Sequence, residues 1–217
     1  ARRLTGTPPT LERNDLMSKR SLKPGAPVSP VPPVLVSCGT AERPNILTIA
    51  WTGIVNTIPP MTYISVRPQR YSYPLIRESG AFVINLATRS LVRPADWCGV
   101  RSGAKEDKFA ACGLTPELLP DFPVPAIAES PVQFCCRVRE VIPLGSHDMF
   151  LADIVGMYVD EQYVDPAGKL RLDRAGLLAY SHGEYFALGE KLGTFGFSVR
   201  RPAKKRRGAK PSPKRKK

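Results

Sequence analysis

The chain has 217 residues, of which 42% are hydrophobic, so it is long enough for one domain with a buried core, or at most two. No apolar run approaches the roughly 20 residues that a transmembrane helix needs. The basic N-terminus is followed by Thr, Pro, Glu and Asn rather than by the apolar region of a secretory signal. We therefore expect a cytoplasmic protein with no membrane contact.

The net charge of +13 is concentrated at the two ends of the chain. Residues 200–217 hold eleven Lys and Arg and no acid, and residues 1–33 hold six basic residues and two acids. Residues 34–199 hold 15 basic and 17 acidic residues, so the body is nearly neutral and no basic groove is predicted on it. The tail 200–217 has no apolar residue to bury beyond Ala and Pro, and we expect it to be disordered.

Cysteine and histidine are too sparse and irregular to indicate a metal site or a disulfide framework. The chain has five cysteines, an odd number, with no C-x-x-C spacing, and its two histidines are His147 and His182. We expect no metal and reduced thiols, as in a cytoplasm.

Residues 1–24 are predicted to form a disordered or extended N-terminal extension, and the proline-rich run 24–33 an extended lead-in to the folded body. Because Met17 resembles a natural start, we expect residues 1–16 to come from an upstream start or an added segment. The folded domain is predicted to cover residues 25–199.

Four short runs of β-branched and aromatic residues bounded by turn formers predict strands at 34–38, 46–52, 61–66 and 81–86. Residues 73–79 predict a short helix, with Ser72 as its N-cap, Pro74 in its first turn and Gly80 as its stop. Two further short helices are predicted at 88–97 and 105–112.

Two long apolar runs, 132–142 and 149–159, flank a Pro-Leu-Gly-Ser turn and predict an antiparallel hairpin, and 177–180 predicts a last strand. The elements do not alternate strand and helix. The sequence therefore predicts a mainly β protein with short helices, an antiparallel barrel rather than a doubly wound sheet.

The sequence carries no G-x-G-x-x-G after a strand, no P-loop and no G-x-S-x-G elbow. His147 and Asp148 are adjacent, but they are a dipeptide without a third partner. Acid–base or nucleophilic catalysis by side chains is therefore not indicated.

Several segments that follow one another in a fixed order carry a resemblance. They include NILTIAWTG (45–53), SVRPQRYS (65–72) and SGAFVINL (79–86), with further likeness at 96–103, 107–109, 145–148 and 179–186. Together they resemble the flavin reductase-like family of FMN-binding split barrels, most closely its flavoredoxin branch. The resemblance covers about residues 25–199 and implies a split β-barrel of about six strands, paired as a homodimer, with FMN at or near the subunit interface.

In that family the strand matching residues 48–52 and the turn after it line the flavin ring, which implies contacts from Thr48, Ala50, Trp51 and Thr52. Without the resemblance, Trp51 is more simply interpreted as a core aromatic residue.

The same resemblance implies that the FMN phosphate is held near Arg70 and Ser72. The Arg70 guanidinium can donate two charge-assisted hydrogen bonds to the phosphate, and Ser72 has a hydroxyl at a helix N-terminus. Tyr71 is expected to cover the ribityl chain. The alternative is a solvated Arg70 and a Ser72 that only caps the helix. Other flavin reductases have a Ser/Thr-rich loop where this chain has Arg70 and Tyr71.

Asn85 and Leu86 end the strand that is expected to run beside the flavin, although an Asn at this position also suits a turn. The loop 98–108 matches a segment that closes over the site, which implies contacts from Ser102, Lys108 and Phe109 with FMN or a nicotinamide donor. An ordinary surface entry to a helix is the alternative for that loop.

His182 lies between Tyr180 and Tyr185 in the last matched segment, where an imidazole can tune the flavin or help to bind a substrate. A structural histidine fits equally well. His147 has the same two interpretations. The cysteines are expected to be buried apolar residues.

The function that the resemblance implies is transfer of hydride or electrons from NADH, NADPH or a redox protein through FMN, which carries the chemistry itself. Two alternatives stay open: a non-catalytic FMN electron carrier, and a nucleic-acid-associated protein that uses its basic tail.

Overall fold

The computed structural model describes residues 19–200. Within them the chain is mainly β, with three short helices: α1 Ser72–Ser79, α2 Val92–Val100 and α3 Lys108–Cys112. The strands are β1 Val34–Gly39, β2 Pro44–Ile49, β3 Thr52–Thr57, β4 Pro60–Val66, β5 Ala81–Leu86, β6 Pro116–Glu117, β7 Ala126–Ile127, β8 Val132–Pro143, β9 Asp148–Val159, β10 Leu178–Ser181 and β11 Glu184–Ala187. The predicted fold class, mainly β with short helices, is confirmed.

Seven strands form one antiparallel sheet in the order β2-β1-β5-β8-β9-β4-β3. Its two end strands, β2 and β3, are consecutive in the chain and are joined only by Ala50 and Trp51. The sheet must therefore curl until its ends meet, which makes a barrel that is split at this bend. The prediction of one strand over 46–52 is wrong, because the chain leaves β1 at Ile49 and begins to pair with β4 at Thr52.

Alternation along the strands separates two apolar layers. In β1, Val34 and Val36 face the barrel core with Phe82 and Phe150, whereas Leu35 faces a second cluster beneath α2 and α3. Successive strand residues point to opposite faces, so a strand covered on both sides is buried at every position, as β1 is. Helices α2 and α3 thereby cover the outside of β1 and β2.

Helix α1 was predicted with nearly its observed bounds, and Gly80 ends it in the left-handed conformation, with φ of 62°. Ser72, predicted as the N-cap, is instead the first helical residue, and Tyr71 occupies the cap position without a side-chain bond. The helices predicted at 88–97 and 105–112 appear as α2 and α3. Asp107 caps α3 by accepting a hydrogen bond from the Ala110 amide at 3.1 Å.

The long hairpin is confirmed as β8 and β9, and the last predicted strand is β10. Sequence reasoning missed four strands, β3, β6, β7 and β11. Of these, β11 pairs with β10 across a two-residue turn, His182-Gly183. Residues 19–30 have no regular structure and are exposed. The rest of the predicted N-terminal extension and all but Arg200 of the basic tail lie outside the described residues. No helix within residues 19–200 combines the length and the apolar character needed to cross a membrane.

Candidate functional site

A groove of about 410 Å³ opens where β2 turns into β3, and we call it the bend groove. Its other wall is the end of β4 and the segment that leads into α1. The lining residues are Leu47, Thr48, Ile49, Ala50, Trp51, Ser65, Val66, Arg67, Arg70 and His147. The groove therefore brings together Thr48, Ala50, Trp51 and Arg70 of the predicted site.

The free edge of β2 supplies main-chain groups to this region. β2 is an end strand, so only β1 pairs with it. The carbonyl of Ile46 accepts a hydrogen bond from Lys108 Nζ at 2.7 Å, which identifies the edge to which its backbone groups point. Alternate residues of a strand direct their main-chain groups to the same edge, so those of Thr48 point the same way.

The side chain of Thr48 is fixed against α2 rather than free in the groove. Its hydroxyl donates to the carbonyl of Ala95, and a Cβ at Gly99 would lie 3.3 Å from the Thr48 Cβ. Helix α2 thus packs closely on β2 and holds the strand in place. We infer that Thr48 offers the groove its backbone.

Three nitrogen-bearing side chains, Arg67, Arg70 and His147, converge on the far wall of the groove. Burial lowers the pKa of His147, and the positive charges of Arg67 and Arg70 lower it further. Among residues 19–200 the only salt bridges are Arg139–Asp153 and Arg171–Asp173, so neither groove arginine is neutralised by a carboxylate there. The wall is therefore suited to an anion.

The position of His147 is set by its neighbour. Asp148, the first residue of β9, accepts a hydrogen bond from the Tyr73 hydroxyl at 2.6 Å, which ties β9 to α1. This bond and burial raise the pKa of Tyr73. The contact holds the β8–β9 turn beside the arginines.

Trp51 is 40% exposed and lines the bend groove together with a second cavity of about 420 Å³. We call this second space the arm cavity, because residues 25–31 form one of its walls and the β10–β11 turn another. Val31 pairs with Tyr180 through two backbone hydrogen bonds, which fixes that wall. His182 lines the arm cavity and not the bend groove.

Tyr71 is placed next to the bend groove but not in it. It lines a third space of about 340 Å³ together with Asn45, Gly103 and Lys105. Gly103 lies so close that a Cβ there would come within 2.0 Å of the Asn45 side-chain oxygen and 2.8 Å of the Tyr71 ring. The loop 101–107 therefore covers Tyr71.

Two predicted phosphate or cofactor contacts, Ser72 and Lys108, are buried and bonded within the chain. The Ser72 hydroxyl accepts from the Asn45 amide at 2.7 Å. Lys108 is 2% exposed and donates to the carbonyls of Ile46 and Cys98 at 2.7 and 2.8 Å, and burial lowers its pKa. Both side chains are committed to the scaffold, so neither lines the groove.

Asn85 is fully buried, contrary to its prediction as a flavin contact. Its amide nitrogen donates to the Leu35 carbonyl and the Ser37 hydroxyl, and its oxygen accepts from the Ile127 amide at 2.9 Å. Every hydrogen-bonding group of the side chain is therefore used to join β1, β5 and β7.

Four more predicted residues do not line the groove: Thr52, Leu86, Ser102 and Phe109. Thr52 donates to the Tyr63 carbonyl at 2.6 Å and lines a small apolar cleft with Leu86. Ser102 is exposed and closes a turn by accepting from the Ala104 amide. Phe109 is buried in the cluster beneath α2 and α3.

Sequence reasoning missed Arg67 and Ser65 as groove residues. Arg67 follows β4 directly and stands three residues before Arg70, and the Arg70 amide donates to the Arg67 carbonyl at 2.9 Å. That turn brings both side chains to one wall. An R-x-x-R spacing between a strand and a helix was the available signal.

The five cysteines are all free, and no cluster of three or more His, Cys, Asp or Glu within residues 19–200 suits a metal ion. Cys98 and Cys112 lie 3.7 Å apart between their sulfurs. Burial raises the pKa of Cys98 to about 12, which keeps its thiol protonated and unreactive.

A family model described as "Flavin reductase like domain" matches residues 28–189. Among proteins of similar sequence is an uncharacterized protein of Archaeoglobus fulgidus, 29% identical over 145 residues, which are 67% of this chain and 81% of that protein.

Two solved structures have the same fold over most of the chain. The flavoredoxin of Desulfovibrio vulgaris (Miyazaki F) is 33% identical, with a TM-score of 0.78, and the match covers 84% of this chain and all of that one. The flavoredoxin of Methanosarcina acetivorans is 26% identical, with a TM-score of 0.77 and the same coverage of both chains.

Proposed function

Because the chain belongs to the flavin reductase-like family, whose domain matches residues 28–189, we propose that it binds FMN in the bend groove and passes electrons through it. Family membership already makes it a flavin-related oxidoreductase. The proposal adds three points to that membership: the flavin is FMN, it binds in the bend groove, and it takes electrons from a nicotinamide or a redox protein. The first two points rest on the residues that line the groove.

The observation that carries the proposal is the pair Arg67 and Arg70, which has no carboxylate partner within residues 19–200 and faces the free edge of β2 across one groove. FMN needs a cation for its phosphate, main-chain groups for its ring heteroatoms and an apolar surface for its ring. Arg67 and Arg70 supply the first, β2 the second and Trp51 the third. The lining therefore fits FMN.

When bound, FMN supplies the hydride and electron transfer. The chain's own contribution is to bind and orient it. Arg67 and Arg70 hold the phosphate, and the backbone of Thr48 and Ala50 fixes the ring edge. His147, whose lowered pKa favours the neutral imidazole, is available to accept or donate a proton at the same wall.

The electron donor in this proposal is NADH, NADPH or a redox protein. A non-catalytic FMN carrier is the second candidate, supported by the two flavoredoxins among the similar structures. The free thiols support a cytoplasmic location for either one.

The test is oxidation of NADH and NADPH by the purified full-length chain, with FMN and ferricyanide as the final acceptor. Turnover above that of free FMN supports the reductase. Bound FMN that neither nucleotide reduces, but dithionite does, supports the carrier. Failure to retain FMN at all contradicts both.

We also propose that two copies of the chain pair through an exposed apolar patch on β3, the β3–β4 turn and β9. The patch consists of Ile54, Val55, Ile58, Val155 and Met157, which are 66, 48, 90, 52 and 53% exposed. Large exposed apolar surfaces rimmed by polar residues mark interaction sites, and β3 is an end strand of the sheet.

Sedimentation equilibrium at micromolar concentration tests the pairing. The wild type is expected to be a dimer, and Ile54→Glu with Val155→Glu is expected to shift it to monomer while the far-ultraviolet circular dichroism stays unchanged. A monomeric wild type would contradict the proposal.

A further inference from the structure

The arm cavity differs from the bend groove in its chemistry. None of the described residues that line it is acidic or is Lys or Arg, and its larger side chains are Trp51, Tyr180 and His182. Its volume of about 420 Å³ lies within the usual range of small-molecule sites. Two aromatic rings and one imidazole suit a flat molecule that carries no charge.

His182 is held in the cavity by an unusual backbone conformation. It has a φ of 50°, and Asp121 is the only other residue besides glycine with a positive φ in residues 19–200. His182 and Gly183, with φ of 86°, form the two-residue turn between β10 and β11, a turn type that favours Asn at its first position. A two-residue turn of this kind requires a positive φ at both positions, so the turn fixes the backbone of His182 beside the cavity.

Trp51 separates the two spaces, since its side chain lines both. The phosphates of FMN and of a nicotinamide dinucleotide need cations, and Arg67 and Arg70 lie on the bend groove side. A ligand of the arm cavity has no such partner among the described residues. The division of charge therefore assigns the phosphorylated ligands to one side of Trp51 and an uncharged ligand to the other.

We propose that the arm cavity is the binding site for the electron acceptor, a neutral planar carbonyl compound of the quinone class. The proposal rests on the proposed function, because the flavin supplies the electrons. The quinone lies against Trp51 and Tyr180, and the imidazole of His182 donates a hydrogen bond to a carbonyl oxygen. Without a cation in its lining, the cavity discriminates against phosphorylated acceptors.

The reaction balances with the flavin as reductant. A quinone becomes a hydroquinone by taking up two electrons and two protons. Reduced FMN in the bend groove would supply these two electrons one at a time across Trp51, with release of its own protons to solvent, and would so return to its oxidised form. Both protons reach the quinone oxygens from solvent, to which His182 and the mouth of the cavity are exposed.

The experiment is equilibrium dialysis of duroquinone, which is fully substituted and so does not alkylate the free cysteines, against the full-length chain with and without FMN. The test variant is His182→Asn, which suits the turn but lacks the imidazole. The control is Glu184→Gln, an exposed residue beside the same turn. We expect saturable binding that His182→Asn weakens about three- to tenfold, the loss of one hydrogen bond, while Glu184→Gln leaves it unchanged.

Several outcomes would overturn the inference. They are an absence of saturable binding, equal affinity of wild type and His182→Asn, or competition between duroquinone and NADH for the site. FMN affinity is measured on the same samples. If the protein retains FMN but binds no quinone, the acceptor site is rejected and the proposed function is not. If the protein binds quinone but does not retain added FMN, the proposed function is rejected and the quinone site is not.

Discussion

The bend groove and the polar layer beneath it use similar residues in opposite ways. In the layer, Asn45, Ser72, Asn85 and Lys108 are buried and their polar atoms are bonded within the chain. Within residues 19–200 no buried side-chain nitrogen or oxygen lacks a partner. In the groove, Arg67 and Arg70 are exposed and have no carboxylate partner there. The difference separates residues that build the site from residues free to bind a ligand.

The largest expected effect is on the layer. Asn85→Ala removes four hydrogen bonds and leaves the buried Ile127 amide unpaired, so we expect the free energy of unfolding to fall by about 3 kcal/mol. Urea unfolding followed by circular dichroism measures it. The exposed Asn56 is the matched control, and Asn56→Ala should change stability by less than about 0.5 kcal/mol.

The distinction between scaffold residues and ligand-binding residues would fail if the Asn85→Ala variant kept wild-type stability but no longer bound FMN. That result would return Asn85 to the role of a flavin contact. If the folded fraction of the variant binds FMN with unchanged affinity, Asn85 is a scaffold residue and the distinction is supported.

The next effect is on the groove. Arg70→Gln removes a charge-assisted bond to the phosphate, so FMN affinity should fall about thirtyfold, or about 2 kcal/mol, with stability unchanged. Quenching of FMN fluorescence on titration with protein measures it. Arg77→Gln, at an exposed arginine on α1, should bind like the wild type. Equal loss in both variants would mean that general positive charge, not this wall, binds FMN.

The smallest effect concerns the contact that ties β9 to α1 beside the groove. Tyr73→Phe removes the hydrogen bond to Asp148, and we expect a loss of about 1 kcal/mol in stability near neutral pH. Because the folded-state pKa of Tyr73 is raised, its contribution is fully present below the ordinary tyrosine pKa and is lost as pH rises through the raised value.

The measurement is the difference in unfolding free energy between wild type and Tyr73→Phe from pH 7 to 11. It should be constant at first and shrink toward the alkaline end. A difference that grows with pH would contradict the assigned hydrogen bond.

The sequence predicted α1 and the strands β1, β4, β5, β8 and β9 well, because alternation and turn formers act locally. It failed at residues 46–52, since only sheet topology reveals that the run bends at Ala50 and Trp51 to connect opposite ends of the sheet. Within the site, the structure brings Trp51 and Arg70, both named by the resemblance, to one groove.

Asn85, Ser72 and Lys108 were predicted as ligand contacts, and the structure buries all three against partners that are distant in sequence. Asn85 bonds to residues 42 and 50 positions away, and Lys108 to one 62 positions away. Local pattern carries no information on such contacts. His147 and Arg67 reach the groove for the same reason, through β9 and the turn after β4.

The most direct test of the central claim is the titration of the purified full-length chain with FMN, followed by its visible absorption after gel filtration. We predict a yellow protein that retains close to one FMN per chain and releases it in the Arg67→Gln, Arg70→Gln double variant. A colourless wild type that takes up no FMN, or a double variant that retains it as tightly, would contradict the assignment of the bend groove.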